Sequence, residues 1–370
     1  MFTKSVFTKN LASTITHTCT IAHLYVTKIL PLLLTIILFV LIFLLRLNQV
    51  GGMEAEKPEF ELEIFKTLRE DLDQRITTLL PSPQAELLSG IVLGNKKDLP
   101  AQFRLALRDT STLHIVVVSG QNLTLLAGMI LALSGLLKRR TAIILSLGAI
   151  LFYTLLTGAQ IPVLRAAVMA SLSFLAMYFG RQKEGVSVLF ITAGTLLLIS
   201  PNWITDLSFQ LSFLATMGVL VVAPILEKGL LKQFPEFIRQ DLSITIGAQA
   251  LVIPIIAQNF HQISLVSVLA NLLIGWTVPF IMLLGTIMIF SSLIFLPLAQ
   301  LFALLTNIFL TYFIYIVKFF ASLPFAWEYV GEKSYIFWAG YYLLLTGVIL
   351  SLNQRLKTEK IDKEARSAII

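Results

Sequence analysis

The chain has 370 residues, 56% of them hydrophobic and only 13% charged, with a mean hydropathy of +0.84. A soluble domain carries about a quarter charged residues, so a freely soluble globular protein is excluded and the chain reads as integral to a membrane. The net charge of +7 fits a polyanionic partner, although basic residues that anchor cytoplasmic loops account for the larger part of it. A single cysteine, Cys19, excludes an intramolecular disulfide framework, and no Cys/His spacing matches a zinc site.

Residues 1–28 are polar and Thr-rich, with Lys4, Lys9 and Lys28, and read as a cytoplasmic tail. Residues 29–47 are apolar without a charge until Arg46, too long for the core of a cleaved signal, and read as a signal anchor. Residues 48–112 form the one long polar segment, with eight Lys/Arg against eleven Asp/Glu. Within it Phe60, Ile64, Phe65, Leu68, Leu72, Ile76 and Leu79 recur at three- and four-residue steps, the period of an amphipathic helix. A short apolar piece, Leu87 to Leu93, and a second amphipathic one, Phe103 to Leu107, follow; both are expected on the membrane surface or against the bundle.

Residues 113–352 hold nine further apolar runs, beginning near 113, 141, 160, 185, 207, 243, 276, 298 and 335 and long enough to span. The expected fold is therefore all-α, a polytopic transmembrane helical bundle of about 10 spans with external amphipathic helices. Lys138-Arg139-Arg140, Arg181 with Lys183, Lys228/Lys232/Arg239 and the basic tail at 353–370 all fall on one side. The opposite loops near 200–206 and 259–275 carry no Lys or Arg, and 321–334 carries only Lys333. That asymmetry puts both termini in the cytoplasm and residues 48–112 outside. Ile263 to Gly275 is too short to span and reads as a re-entrant or interfacial segment on the outer side.

Three polar interruptions break the apolar spans. The first, His114 to Asn122, ends in Ser119-Gly120-Gln121-Asn122. The second, Thr157-Gly158-Ala159-Gln160 followed by Ile161-Pro162-Val163-Leu164-Arg165, carries a cation into the next span, and the third is Asp206 to Ser212 with Ser208 and Gln210. Gln258, Asn259, His261 and Gln262 flank the re-entrant piece on the same face. Entering from outside, Ser119 to Asn122 sit about 9 to 14 Å along their span, and all these groups share one depth near the outer leaflet, as a water-filled vestibule would require.

Each group has two readings. Ser119 to Asn122 either let helix backbones approach closely or line a path, and a break at Gly120 would expose N–H groups suited to phosphate. A cation at mid-helix costs at least ~2.5–3.5 kcal/mol, so Arg165 either guides phosphate or pairs with Asp206. His114 at the membrane boundary is either an interfacial hydrogen-bonder or a proton relay. No P-loop, two-metal nuclease cluster or nucleophile–base pair stands out, so no enzymatic role and no cofactor is expected.

At these residues the chain resembles the ComEC/Rec2 family of competence proteins, the inner-membrane DNA channels of natural transformation. The resemblance runs from Leu87-Leu88-Ser89-Gly90-Ile91-Val92-Leu93-Gly94 through Leu99-Pro100 with Phe103-Arg104, His114…Ser119-Gly120 and Thr157-Gly158…Leu164-Arg165-Ala166-Ala167. It ends in Asp206-Leu207-Ser208-Phe209-Gln210-Leu211-Ser212-Phe213-Leu214-Ala215. The family usually has Leu-His after the Ser-Gly, where this chain has Gln121-Asn122. Full-length relatives also carry an external OB-like domain and a C-terminal metallo-β-lactamase-like domain, for which neither residues 48–112 nor the tail leaves room.

The resemblance implies a channel-only form that passes single-stranded DNA inward. Its implied partners are the bilayer, an external DNA-delivering receptor, a cytoplasmic motor or single-strand-binding protein, and a separate nuclease. His114, Ser119, Gly120, Gln121, Asn122, Thr157, Gly158, Arg165, Asp206, Ser208, Gln210 and Ser212 would contact DNA or line the path. Two rivals fit the same polar breaks: a transporter or channel for a small anionic solute, and a non-transporting scaffold in which Arg165 pairs with Asp206.

Overall fold

The computed structural model describes residues 30–50, 62–95, 99–116, 120–132, 135, 138–179 and 184–367. The chain divides into two units. The smaller contains helix α1 (Leu30–Val50) together with Gly194–Ile204. There Gly194 admits the ring of Phe39, which lies 3.2 Å from where a Cβ would stand, and Trp203 is buried.

The larger unit begins with α2 (Glu63–Leu79), α3 (Gln84–Leu93) and α4 (Ala101–Asp109). It continues through α5 (Leu113–Val116), α6 (Gly120–Ala132), α7 (Arg139–Leu156), α8 (Ile161–Tyr178) and the first part of α9 (Gly185–Ile199). Then come α10 (Leu207–Met217), a π-turn at Gly218–Val222, α11 (Ala223–Lys228) and α12 (Glu236–Phe260). Strand β1 (Gln262–Ser264) leads to α13 (Ser267–Gly275), α14 (Thr277–Ile294) and α15 (Leu296–Ala321), and β2 (Trp327–Tyr329) leads to α16 (Tyr335–Ser367).

The fold is all-α apart from the two-stranded β1–β2 ribbon. Among the described residues, seven helices are long and apolar enough to cross a membrane: α7, α8, α10 with α11, α12, α14, α15 and the first 24 residues of α16. The other three expected spans are helical as well; α1 has 21 residues, whereas α6 has 13 and α9 has 15. The protein is a multi-pass membrane protein.

β1 pairs antiparallel with β2, Gln262 opposite Tyr329 and Ser264 opposite Trp327. The loops holding them therefore lie on one face, the relation that their lack of basic residues predicts. The segment expected to re-enter or to lie at the interface is formed by β1 and α13, and it runs on into α14 without turning back. Trp276 joins α13 to α14 with helical φ and ψ, and both helices pack along α15 in one register. Ala270 clusters with Phe320, the Leu273 carbonyl accepts from Tyr312 at 3.2 Å, Trp276 meets Phe309 edge-on, and Phe280 stacks on it. A piece too short to span by itself is thus the first third of a longer leg.

The largest core forms around α3, whose Ala85 and Leu87 to Leu93 are all buried. Its neighbours include Leu72 and Ile76 of α2, Phe103 and Leu107 of α4, Ile281 and Met288 of α14, and Leu310 and Phe313 of α15. The apolar face of α2 turns to this core, as its period requires. Gly90 and Gly285 make the approach possible: a Cβ on Gly90 would stand 2.7 Å from Val116, and one on Gly285 2.5 Å from Leu88. A second core joins α6, α7 and α8 through Leu123, Ile150, Tyr153, Val163 and Phe174.

Pro254 lies inside α12 and has no N–H for the carbonyl four residues earlier, that of Ala250. Tyr341 of α16 supplies the missing donor at 2.9 Å, and Tyr342 donates to Leu251 at 2.8 Å. One turn towards the β-ribbon, the Trp338 indole donates to Gln258 at 2.9 Å. In lipid no water can replace such donors, so α16 is fixed to α12 at its proline. Tyr341→Phe should cost about 1–3 kcal/mol in thermal unfolding of the detergent-solubilised protein. The cost should shrink in a Pro254→Ala background, where the restored N–H serves Ala250; equal costs in both backgrounds would contradict this account.

Candidate functional site

Helix α7 ends where Thr157 turns its hydroxyl back to the Tyr153 carbonyl at 2.9 Å. Gly158 and Ala159 follow with φ of 75° and 48°. Glycine takes that region freely, whereas alanine there is strained. Pro162 in the first turn of α8 then sets the helix going. The break leaves Gln160 half-buried, its Nε2 3.4 Å from the Thr157 carbonyl and its Oε1 buried with no partner.

Arg165 sits one turn into α8, half-buried. Its Nη1 donates to the Thr216 hydroxyl of α10, which in turn donates to the Ser212 carbonyl at 2.9 Å. Arg165 Nε is buried and has no partner. The cation expected at the outer mouth thus reaches Thr216, nine residues into α10 and about 13 Å from that helix's first residue. That is close to the middle of a hydrocarbon core of about 30 Å.

Asp206 is placed otherwise. Its carboxylate accepts the backbone N–H of Phe209 at 2.9 Å and caps α10. The three ion pairs among the described residues, Arg75–Asp71, Arg108–Asp109 and Arg239–Glu227, do not include Arg165. The Arg165–Asp206 pair is therefore not formed, and the two groups do not share one depth. Ser208 is exposed, and Gln210 and Ser212 are half-buried on the same helix. Phe213 stacks on Phe209 at 6.3 Å and meets Phe190 edge-on at 5.8 Å.

Directly after Thr216 the span widens into the π-turn Gly218–Val222. There α10 and α12 touch backbone to backbone: a Cβ on Gly218 would collide with the Gly247 carbonyl. Single π-turns inside α-helices occur frequently at functional sites.

The first polar cluster divides. Ser119 lies outside the described residues, and for Gly120 and Gln121 only the helical backbone of α6 is described. Asn122 is buried, and its Nδ2 donates to the Ile91 carbonyl at 2.9 Å, with the Tyr153 hydroxyl 3.4 Å from the same oxygen. Gly94 ends α3 in the left-handed conformation, leaving carbonyls in the last turn without intrahelical donors. Asn122 thus caps a neighbouring helix. His114 is exposed on α5 with Nδ1 2.9 Å from the Ser111 carbonyl, in a local turn apart from Arg165.

Around β1 the polar groups named by sequence are structural partners. Gln258 holds Trp338, Asn259 donates to the Ile255 carbonyl at 2.8 Å, and the His261 carbonyl accepts from Val330 at 3.0 Å. Thr216, by contrast, joins the site unnamed by the sequence, and Gln160 is named there only as part of the second polar break. The spacing of Thr216, four residues after Ser212, was the available signal. Among the described residues no three His, Cys, Asp or Glu side chains come together. The site offers a guanidinium, hydroxyls and a carboxamide, groups that bind anions and exchange no electrons.

Asn122→Leu should lower stability by about 1–3 kcal/mol, because the Ile91 carbonyl loses its close donor; thermal unfolding in detergent measures it. Unchanged stability would return Asn122 to the path-lining reading.

The Competence protein family matches residues 91–355. Over 228 residues the chain is 26% identical to ComE operon protein 3 of Bacillus subtilis, covering 61% of this chain and 28% of that protein. It is 30% identical over 220 residues to the uncharacterized protein YcaI of Escherichia coli, covering 55% of this chain and 29% of that protein. An uncharacterized protein of Aquifex aeolicus is 32% identical over 176 residues, 47% of this chain and 40% of that protein. The chain thus spans well under half the length of each of these relatives, and no solved structure matches it. The matched region takes in the α7–α8 break, Arg165, the α10 cap and the π-turn, and the chain belongs to the Competence protein family.

Proposed function

We propose that this protein forms a path by which single-stranded DNA crosses the inner membrane into the cytoplasm during natural transformation, with both chain termini cytoplasmic. The observation that carries the reading is Arg165, a cation near mid-membrane with a hydroxyl for a partner, no carboxylate, and a buried Nε left unbonded. A guanidinium held this way is short of an anion, and phosphate suits its fork of donors. Membership of a competence family and a polyanionic substrate account for it together.

The path is a conduit and not an enzyme. An interior-negative potential opposes an entering anion by ~2.3 kcal/mol per charge per 100 mV, so the strand must be pulled or trapped from inside. A cytoplasmic motor or single-strand-binding protein supplies that force, an external receptor delivers the DNA, and a separate nuclease handles the other strand. The second reading, a channel for a small anionic solute, rests on the same Arg165, since one guanidinium beside one hydroxyl suits a single small anion.

The test is uptake of fluorescent single-stranded DNA by cells lacking the gene, restored with wild type, Arg165→Ala or Arg165→Lys at equal expression. Wild type should rescue, Arg165→Ala should not, and Arg165→Lys should rescue in part, because a lysine keeps the charge and loses the fork. Full rescue by Arg165→Ala would overturn the role of this residue, and unchanged uptake on deletion would favour the small-solute reading.

A further inference from the structure

The hairpin α14–α15 has the length to cross a membrane twice, yet three observations place it otherwise. The first is charge. No Asp, Glu, Lys or Arg occurs between Asp241 and Lys318, and the hairpin tip, Leu293-Ile294-Phe295-Leu296-Pro297-Leu298, has none. The other loops assigned to the inner side by the basic asymmetry are rich in Lys and Arg, so the tip lacks the anchor that marks that side.

The second is what covers the hairpin. Helices α2, α3 and α4 pack against α14 and α15 in one core, and they belong to the polar segment at 48–112. The contacts run down the length of the hairpin: Gln84 Nε2 donates to Thr311 at 3.1 Å, Leu88 fits against Gly285, and Arg75 Nη1 donates to the Ser292 carbonyl at 3.1 Å. Ser292 is two residues from the end of α14, so α2 reaches almost to the tip.

The third is the charge that α2 keeps exposed. Glu63, Lys66, Glu70 and Asp71 are all exposed on its outer face. Had the hairpin tip emerged on the inner side, α2 would carry these groups to inner-leaflet depth, at ~2.5–3.5 kcal/mol for each Lys or Asp near the centre of the bilayer. The opposite face of the hairpin, by contrast, exposes Leu283, Phe290, Phe295, Leu301, Leu304 and Ile308. One face meets a charged helix and the other is purely apolar, which is the pattern of an element lying in the membrane interface.

We propose that the α14–α15 hairpin does not span: it lies along the outer leaflet, with its free apolar face on acyl chains and its other face carrying α2 and α3 on the aqueous side. A hairpin removes two crossings together, so both termini stay on one side and the β1–β2 ribbon stays where its loops put it.

The test compares sidedness within the whole protein, on a Cys19→Ser background. Nitroxides are attached to Ile294→Cys at the tip, where the side chain is 88% exposed, to Glu332→Cys near the ribbon, and to Lys232→Cys between α11 and α12. Impermeant chromium oxalate is added to right-side-out and to inverted membrane vesicles. The ratio of relaxation in the two preparations should lie on the same side of one for Ile294→Cys as for Glu332→Cys. A ratio grouping the tip with Lys232→Cys would overturn the proposal and make α14 and α15 true spans lining a deep aqueous cleft around α2. If Ile294→Cys fails to express, the exposed Leu296→Cys gives the same comparison.

Discussion

A polar group carried into a bilayer has no water to bond, so each must find its partner within the chain. Most of this structure follows from that constraint. Pro254 frees a carbonyl in α12 and Tyr341 answers it, which fixes α16. Gly94 ends α3 and Asn122 with Tyr153 answers the Ile91 carbonyl, which fixes α3 to α6 and α7. Asp206 answers the first turn of α10. Each bond would be worth about 1 kcal/mol net in water; in lipid each also decides which helices can be neighbours.

Arg165 is where the constraint is met least. Thr216 gives it one acceptor, and the buried Nε has none. A structural arginine would be satisfied on its fork by a carboxylate, and the candidate that the sequence offers, Asp206, is already committed to its own helix, about 15 Å from Thr216 along α10. An unsatisfied cation beside a strained helix break and a π-turn is poised to bind an anion. The surrounding Gly218–Gly247 contact shows how tightly the neighbouring spans are held, so the cation stands in a rigid frame.

Helix number and type were legible because lipid enforces them: a run of twenty apolar residues has few other structures available. That the loops holding β1 and β2 share a face was legible too, in their lack of Lys and Arg, although the strand pairing itself was not. The place of α3 was not, since Leu87 to Leu93 is only seven residues long, and nothing local distinguishes a surface piece from a core helix sealed by Gly90 and Gly285. Of the two readings of Arg165, charge complementarity keeps the Asp206 pair open in the sequence; the structure forms instead the Asp206 cap to Phe209, three residues away, which needs no long-range fold. Length alone gives Ile263 to Gly275 a re-entrant or interfacial reading, and only the register of Leu273 and Trp276 on Tyr312 reveals that it runs on into α14.

The central proposal is that a single strand passes Arg165, which joins α8 to α10 through Thr216. Photo-cross-linking of a radiolabelled strand during uptake tests it most directly, with a benzophenone amino acid placed at Gln160, at Ser208, or at Leu151, which is 62% exposed on the lipid side of α7. The account predicts label at Gln160 and Ser208 and none at Leu151. Uptake that proceeds without label at either Gln160 or Ser208 would contradict it.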